Sequence, residues 1–195
     1  MLSPVFPYPM NLGSKIRIFN LLKHLSASNE ITLVTLVHDK SELDGLPVLE
    51  EYCRQVIPFH GIRSKHGTML RFFLSSKSYR MIKFHNRELK SHLADILKAR
   101  SYDIIWVHFL NMLDYLDMST LNTKTLVLDQ HNADELWWKQ NIRQGNLFVQ
   151  LFSKLNLHRV RRFQSRALGK VDLVLSVSET EKTFMQQRTG PKTRV

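Results

Sequence analysis

At 195 residues, 43% of them hydrophobic, the chain can bury a core and suits one domain, or one domain with an appendage. Cys53 is its one cysteine, which excludes an internal disulfide framework and every multi-cysteine metal site, and no apolar run reaches the roughly 18 residues that span a bilayer. The formal charge of +11 is unevenly placed: Lys and Arg outnumber Asp and Glu by 11 to 2 over residues 54–100 and by 8 to none over 139–170, whereas residues 101–138 carry 1 against 6. Such basic stretches attract anionic membranes, nucleic acid or phosphorylated substrates, and as commonly are solvated helix faces. The amino terminus, Met1-Leu2-Ser3-Pro4, has no basic region followed by an apolar stretch, so no secretory signal is visible, and the composition fits a reducing cytoplasm.

Met1 to Ser3 suits the tail of a first strand whose usual beginning is missing. Pro4, Pro7 and Pro9 stiffen the next segment, and Asn11-Leu12-Gly13-Ser14 makes a turn. From Lys15 the pattern is helical, with Ile16, Phe19, Leu22 and Leu25 facing inward and Lys15, Arg17 and Lys23 elsewhere. A glycine turn feeding a helix amino terminus lets backbone N–H groups meet phosphate, and Lys15 and Arg17 would add charge. Ile31 to Val37 is a β-branched run of strand length, so strand, helix, strand opens an α/β series.

A helix over 41–52, interrupted by Gly45 and Pro47, and a short strand around 55–58 follow. Residues 61–78 are the least regular. They mix Met69, Leu70, Phe72, Phe73 and Leu74 with Arg63, Lys65, Arg71 and Lys77, which suits a membrane interface or a half-buried surface. A single helix is expected over 79–98, then a strand at Tyr102–His108. The run Thr125 to Asn132 is a buried strand ending in Asp129, Gln130, His131 and Asn132. In open α/β sheets ligands sit just beyond such carboxyl ends, so His131 stands where a reactive group is useful, and His108 would line the same cleft. Asp129 and Asn132 equally suit a turn and a helix cap.

A long helical region over 133–169, broken at Gln144-Gly145-Asn146, offers a buried stripe from Trp137, Trp138, Phe148, Leu151, Phe152, Leu155, Val160, Phe163 and Ala167. A last strand at 172–177 leads into a helix that Ser178 caps. Nine histidines without clustered spacing argue against a zinc site. No Gly-x-Gly-x-x-Gly follows a strand and no Gly-x-x-x-x-Gly-Lys loop occurs, so nicotinamide chemistry and ATP hydrolysis lack support. A noncatalytic basic α/β module for nucleic acid or anionic lipid is the rival reading, although no recognised nucleic-acid signature is present.

Taken in order, Leu2-Ser3-Pro4 with Pro7 and Pro9, Gly13-Ser14-Lys15-Ile16-Arg17, His24-Leu25, Glu30 to Val37, Tyr102-Asp103-Ile104-Ile105, Asp129-Gln130-His131-Asn132 and Asp172 to Glu179 resemble the amino-terminal domain of a family-four retaining glycosyltransferase of the GT-B type. The resemblance covers nearly the whole chain. It implies a Rossmann-like three-layer sandwich on a mainly parallel sheet, the acceptor half of an enzyme whose other half binds a nucleotide-sugar. The glycosyl group would pass to a glycan or glycolipid hydroxyl with retained configuration. No metal or other cofactor is implied, because basic side chains and helix termini stabilise the departing diphosphate.

By the resemblance, Gly13, Ser14, Lys15 and Arg17 would approach donor phosphates or acceptor, and His131 would sit by the transferred sugar. Asp129 and Asn132 would shape the loop, and Ser178 and Glu179 would complete the substrate-binding set with His108. It also implies that the chain is clipped at both ends, lacks its donor domain and alone transfers no sugar. From the charge of the two basic helices, and not from the resemblance, peripheral contact with anionic membrane is expected, which would place the enzyme in the cytoplasm at the inner face of the cell membrane; no nucleic acid is expected as a partner.

Overall fold

The computed structural model describes residues 1–61, 65–131 and 134–195. Six strands form one parallel sheet: β1 (Leu2–Ser3), β2 (Thr32–Val37), β3 (Gln55–His60), β4 (Tyr102–His108), β5 (Thr123–Gln130) and β6 (Leu173–Ser176). Their spatial order is β3-β2-β1-β4-β5-β6, so the winding reverses between β1 and β4. That reversal makes a doubly wound α/β sheet with a crevice at its carboxyl edge. The helices are α1 (Gly13–Leu25), α2 (Leu46–Glu50), α3 (Lys65–Phe73), α4 (Tyr79–Lys83), α5 (Arg87–Ala99), α6 (Asp134–Gln144), α7 (Leu147–Ala167) and α8 (Glu179–Gln186).

Side chains alternate across each strand, and the alternation feeds two cores. In β2, Leu33 and Val37 join Ile18, Phe19 and Leu22 of α1, whereas Val34 and Leu36 join Leu89 and Leu93 of α5 and Leu157 and Val160 of α7. Both faces are therefore covered, which is why the inner strands read as unbroken apolar runs. In β4 and β5, Val107, Leu126 and Leu128 point to the α5 and α7 side. By parity, Ile104, Trp106 and His108, and likewise Val127 and Asp129, point to the α1 side. Packing alone thus aims His108 and Asp129 at α1.

Four stretches depart from the sequence expectations. The irregular 61–78 stretch contains α3, with Arg63 outside the described residues. The expected 79–98 helix is broken into α4 and α5, because the Asn86 side chain accepts from the Leu89 N–H and its amide donates to the His60 carbonyl, so it caps a new helix. In α1, Ile18 is buried and Ile16 is 43% exposed. On α6 and α7, Trp138, Val160 and Ala167 are buried, but Trp137, Phe148, Leu151 and Leu155, assigned to the same stripe, are exposed. Trp137 and Trp138 are neighbours, roughly 100° apart around a helix, so one core could not take both.

Candidate functional site

The register of β4 against β5 sets His108 beside Asp129. Two residues on, His131 follows the end of β5, and Arg17 arrives one turn into α1. Arg17 grips Asp129 through two nitrogens, Nε at 3.0 Å and Nη2 at 2.7 Å from Oδ1, with Nε also 3.1 Å from Oδ2. Oδ2 lies 3.0 Å from His108 Nδ1 and 3.0 Å from His131 Nε2. An ionised carboxylate only accepts, so each imidazole donates through that nitrogen. His131 is thereby held in the tautomer that leaves a lone pair on Nδ1, and its ring lines the cleft described below.

Asp129 and His108 are wholly buried and His131 nearly so. Burial alone would raise the Asp129 carboxyl, but bonds from His108, His131 and Arg17 hold it well below the usual carboxylate range. For His108, burial dominates and pushes the imidazole from 6.5 down to about 4, against the opposing pull of Asp129. Burial outweighs the Asp129 carboxylate, so His108 stays neutral at pH 7. Between about pH 4 and 6.5 the unfolded chain therefore binds a proton at His108 that the folded chain refuses. Stability rises with pH across that window and is lost as pH falls through it, by about 3 kcal/mol in all. Urea unfolding at pH 7, 5.5 and 4.5 should show this loss, and His108→Gln should flatten the curve between those values. An unchanged slope in the variant would refute the assignment.

Phe109, the next residue after β4, has φ 69°. A bulky residue there costs on the order of 1–3 kcal/mol, an expense met at functional sites. What holds it is visible. Its N–H donates to the Asp129 carbonyl at 2.9 Å, extending the ladder by one bond. Its ring stacks on His131 at 4.4 Å between centroids. One face of the imidazole is thus shielded from water.

These groups border a cleft of about 690 Å³ at the carboxyl edge of the sheet. Gly13, Ser14 and Arg17 line it together with Tyr79, Phe84, Phe109, Trp137 and Trp138, and with the cations Arg80 and Lys83. Among the described residues no side chain caps the amino terminus of α1, which leaves its first N–H groups and the positive end of its dipole for an anion. A Cβ at Gly13 would meet nothing within 4 Å; here glycine leaves room rather than relieving strain. A second cavity, of about 490 Å³, lies at the opposite edge, bordered by Glu30, Arg54 and Arg100, which pair with one another.

The other residues singled out from the sequence fall in different places. Lys15 is buried, and its ammonium sits 2.6 Å from Glu42, whose other oxygen accepts the His38 N–H. It ties α1 to the turn at Lys40–Gly45 and does not line the cleft. Ser178 accepts the Glu181 N–H at 3.2 Å and caps α8, and Glu179 is exposed beside Lys182. Neither reaches the Asp129 cluster, although Val177 just before them lines the cleft. Asn132 lies outside the described residues. His108 stands behind Asp129 rather than on the cleft surface.

His108, Asp129 and His131 bring three donor atoms within 4.8 Å of one another, a set that also suits a divalent cation. Histidine spacing along the chain missed it, because adjacent parallel strands unite residues 21 and 23 apart in sequence. An ion there would displace both imidazole N–H bonds and face the Arg17 charge, so the arrangement is better suited to a hydrogen-bonded relay. Glu135 is a second buried hub that the sequence reading did not find. Arg188, Arg161 and Lys139 converge on its carboxylate. Burial would raise it, yet those bonds hold it down to about 2. They fasten α6 to α7 and α8, directly after the His131 turn.

Among curated proteins the chain matches an uncharacterized 44.6 kDa protein in the cps region of Klebsiella pneumoniae, 24% identical over 181 residues. The match takes in 90% of this chain and 44% of that protein, so the chain spans less than half the length of this relative. No protein-family model matches, and no solved structure matches with significance.

Proposed function

We propose that the chain is the acceptor-side half of a glycosyltransferase that moves a sugar from a nucleotide-sugar to an acceptor hydroxyl in polysaccharide synthesis. The observation that carries this reading is a single cleft in which an uncapped helix terminus, a guanidinium, an oriented imidazole and an aromatic wall converge. Each part answers a need of the chemistry. A diphosphate leaving group calls for preorganised positive charge, which the α1 terminus and Arg17 supply. Sugar hydroxyls call for a fixed acceptor, which Asp129 provides by holding the His131 tautomer. The apolar C–H faces of a glycan pack on aromatic rings, and Trp137 is half exposed at the cleft.

In the step itself the bond from the anomeric carbon to the diphosphate oxygen breaks and the acceptor oxygen bonds to that carbon. The acceptor proton leaves toward the departing phosphate. His131 Nδ1 accepts a hydrogen bond from a hydroxyl of the transferred sugar. Gly13 and Ser14 stand beside the phosphates, whereas Lys15 contributes by fixing α1 rather than by touching substrate. The relative from a cps region, a capsule polysaccharide locus, supports a polysaccharide acceptor, and the parallel sheet with its reversal point supports the half-enzyme reading.

Calorimetric titration of the chain with a panel of capsule-type oligosaccharides tests the glycan assignment. Trp137→Ala is expected to weaken the best of them about tenfold, equivalent to ~1.4 kcal/mol, with little change in Tm because the ring is half exposed. Binding that is indifferent to Trp137, or absent across the panel, would contradict it.

A further inference from the structure

Outside the cleft, an exposed apolar surface follows from the stripe that failed to be buried. Leu147, Phe148 and Leu151 of α7, with Leu70 and Phe73 of α3 and Leu74 just after it, are each more than half exposed. The two helices lie against each other: the Phe72 and Phe152 rings meet at 4.6 Å, and Arg159 donates to the Phe72 carbonyl at 2.6 Å while covering the Phe72 ring at 4.1 Å. The protruding side chains therefore flank one seam.

Helical spacing continues the exposed α7 face from Leu151 and Leu155 to Arg159, Arg162 and Arg166. Its first half is apolar and its second half basic. Beside that second half, Lys77, Arg159, Arg162 and Arg166 border a notch of about 190 Å³, with Asp114 the one acid among its lining residues. Lys77 is paired with Asp114, and no acid occurs from residue 139 to 170.

From this arrangement we infer that the α3 and α7 face seats on an anionic phospholipid bilayer. The leucines and phenylalanines would enter the acyl boundary, and the arginine row with its notch would take lipid phosphates. Two features favour lipid over a folded partner. The apolar side chains are each more than half exposed and border neither the cleft nor the notch, so they suit a fluid medium that needs no complementary shape. The cations stand on the same face one to three turns along, the offset between acyl chains and headgroups. The inference stands apart from the glycan reading, since none of these residues borders the cleft.

Flotation of the purified chain with vesicles of phosphatidylcholine, and of phosphatidylcholine mixed with phosphatidylglycerol, tests it directly. Recovery should require the anionic lipid and fall as salt is raised. Phe73→Asp combined with Leu74→Asp should cut it about tenfold, as should Arg162→Glu with Arg166→Glu. All four side chains are exposed, and unchanged melting by circular dichroism would verify that each variant folds. Equal recovery on neutral and anionic vesicles, or variants that float like the parent, would overturn the inference. So would a chain that fails to float but sediments as a dimer dispersed by Phe73→Asp, because a second copy would then cover the face.

Discussion

Replacing Asp129 with Asn is expected to cost about 3–5 kcal/mol of unfolding free energy, although the two side chains are nearly the same shape. The carboxylate is wholly buried and accepts from a guanidinium and two imidazoles. An amide removes the charge that Arg17 was brought in to meet, and its NH₂ offers a donor where the imidazoles also donate. One histidine must then change tautomer or lose its bond. Arg17 is about one-third exposed and can turn partly toward water, which places the expected cost at the lower end of that range. Urea unfolding should show a lower midpoint with an unchanged slope. Imidazole nitrogen NMR should show His131 no longer fixed as the Nε2–H form. A loss below about 1 kcal/mol would mean that the cluster is incidental to the fold.

This dependence is a property of topology. Arg17 and Asp129 are 112 residues apart, and they meet because β1 and β4 are neighbours at the reversal point while strand parity turns Asp129 toward α1. The same parity accounts for what could be read from the chain beforehand. β2 and β5 were legible because strands buried on both faces are written as apolar runs, and β4 and β6 were legible as apolar runs although parts of them are exposed. Their polar ends, His108, Asp129 and His131, were legible with them. β1 was nearly invisible, since Leu2–Ser3 is two residues long, yet it holds the centre of the sheet. The α4–α5 break was written in Asn86, a good capping residue, but the apolar period running through it pointed to one helix.

Roles were harder to read than positions. A lysine beside a glycine turn looks like a phosphate ligand, and only the fold reveals that Glu42 takes its charge. His131 was the evident reactive group, but the residue that organises the cluster is Asp129, whose expected part was to shape a loop. Nothing in the sequence marks Phe109 for a positive φ. Trp137 was in principle accessible: of two adjacent tryptophans on a helix, one must leave the core, and the one that leaves here reaches the cleft. The basic stretches divide as well. Arg161 and Arg188 are spent on Glu135 inside the molecule, Arg159 is spent on the Phe72 carbonyl and ring, and Arg162 and Arg166 are left facing outward.

His131→Ala carries the largest expected functional effect. Its imidazole is the point where the buried cluster reaches the cleft, so under the proposed function its loss would remove a fixed hydrogen-bond acceptor at the transferred sugar while Asp129 keeps Arg17 and His108. Transfer should fall by about 10²-fold or more, with donor affinity changed far less, because a group that matters mainly in the transition state shows in the rate. The decisive measurement is glycosyl transfer from a panel of labelled nucleotide-sugars to a capsule-type glycan acceptor, by the gene product that contains this chain, with and without His131→Ala. Transfer by the parent and its near-complete loss in the variant is the predicted result. A variant that transfers at the parent's rate, or a parent inactive with every donor, would contradict the assignment of this cleft to sugar transfer.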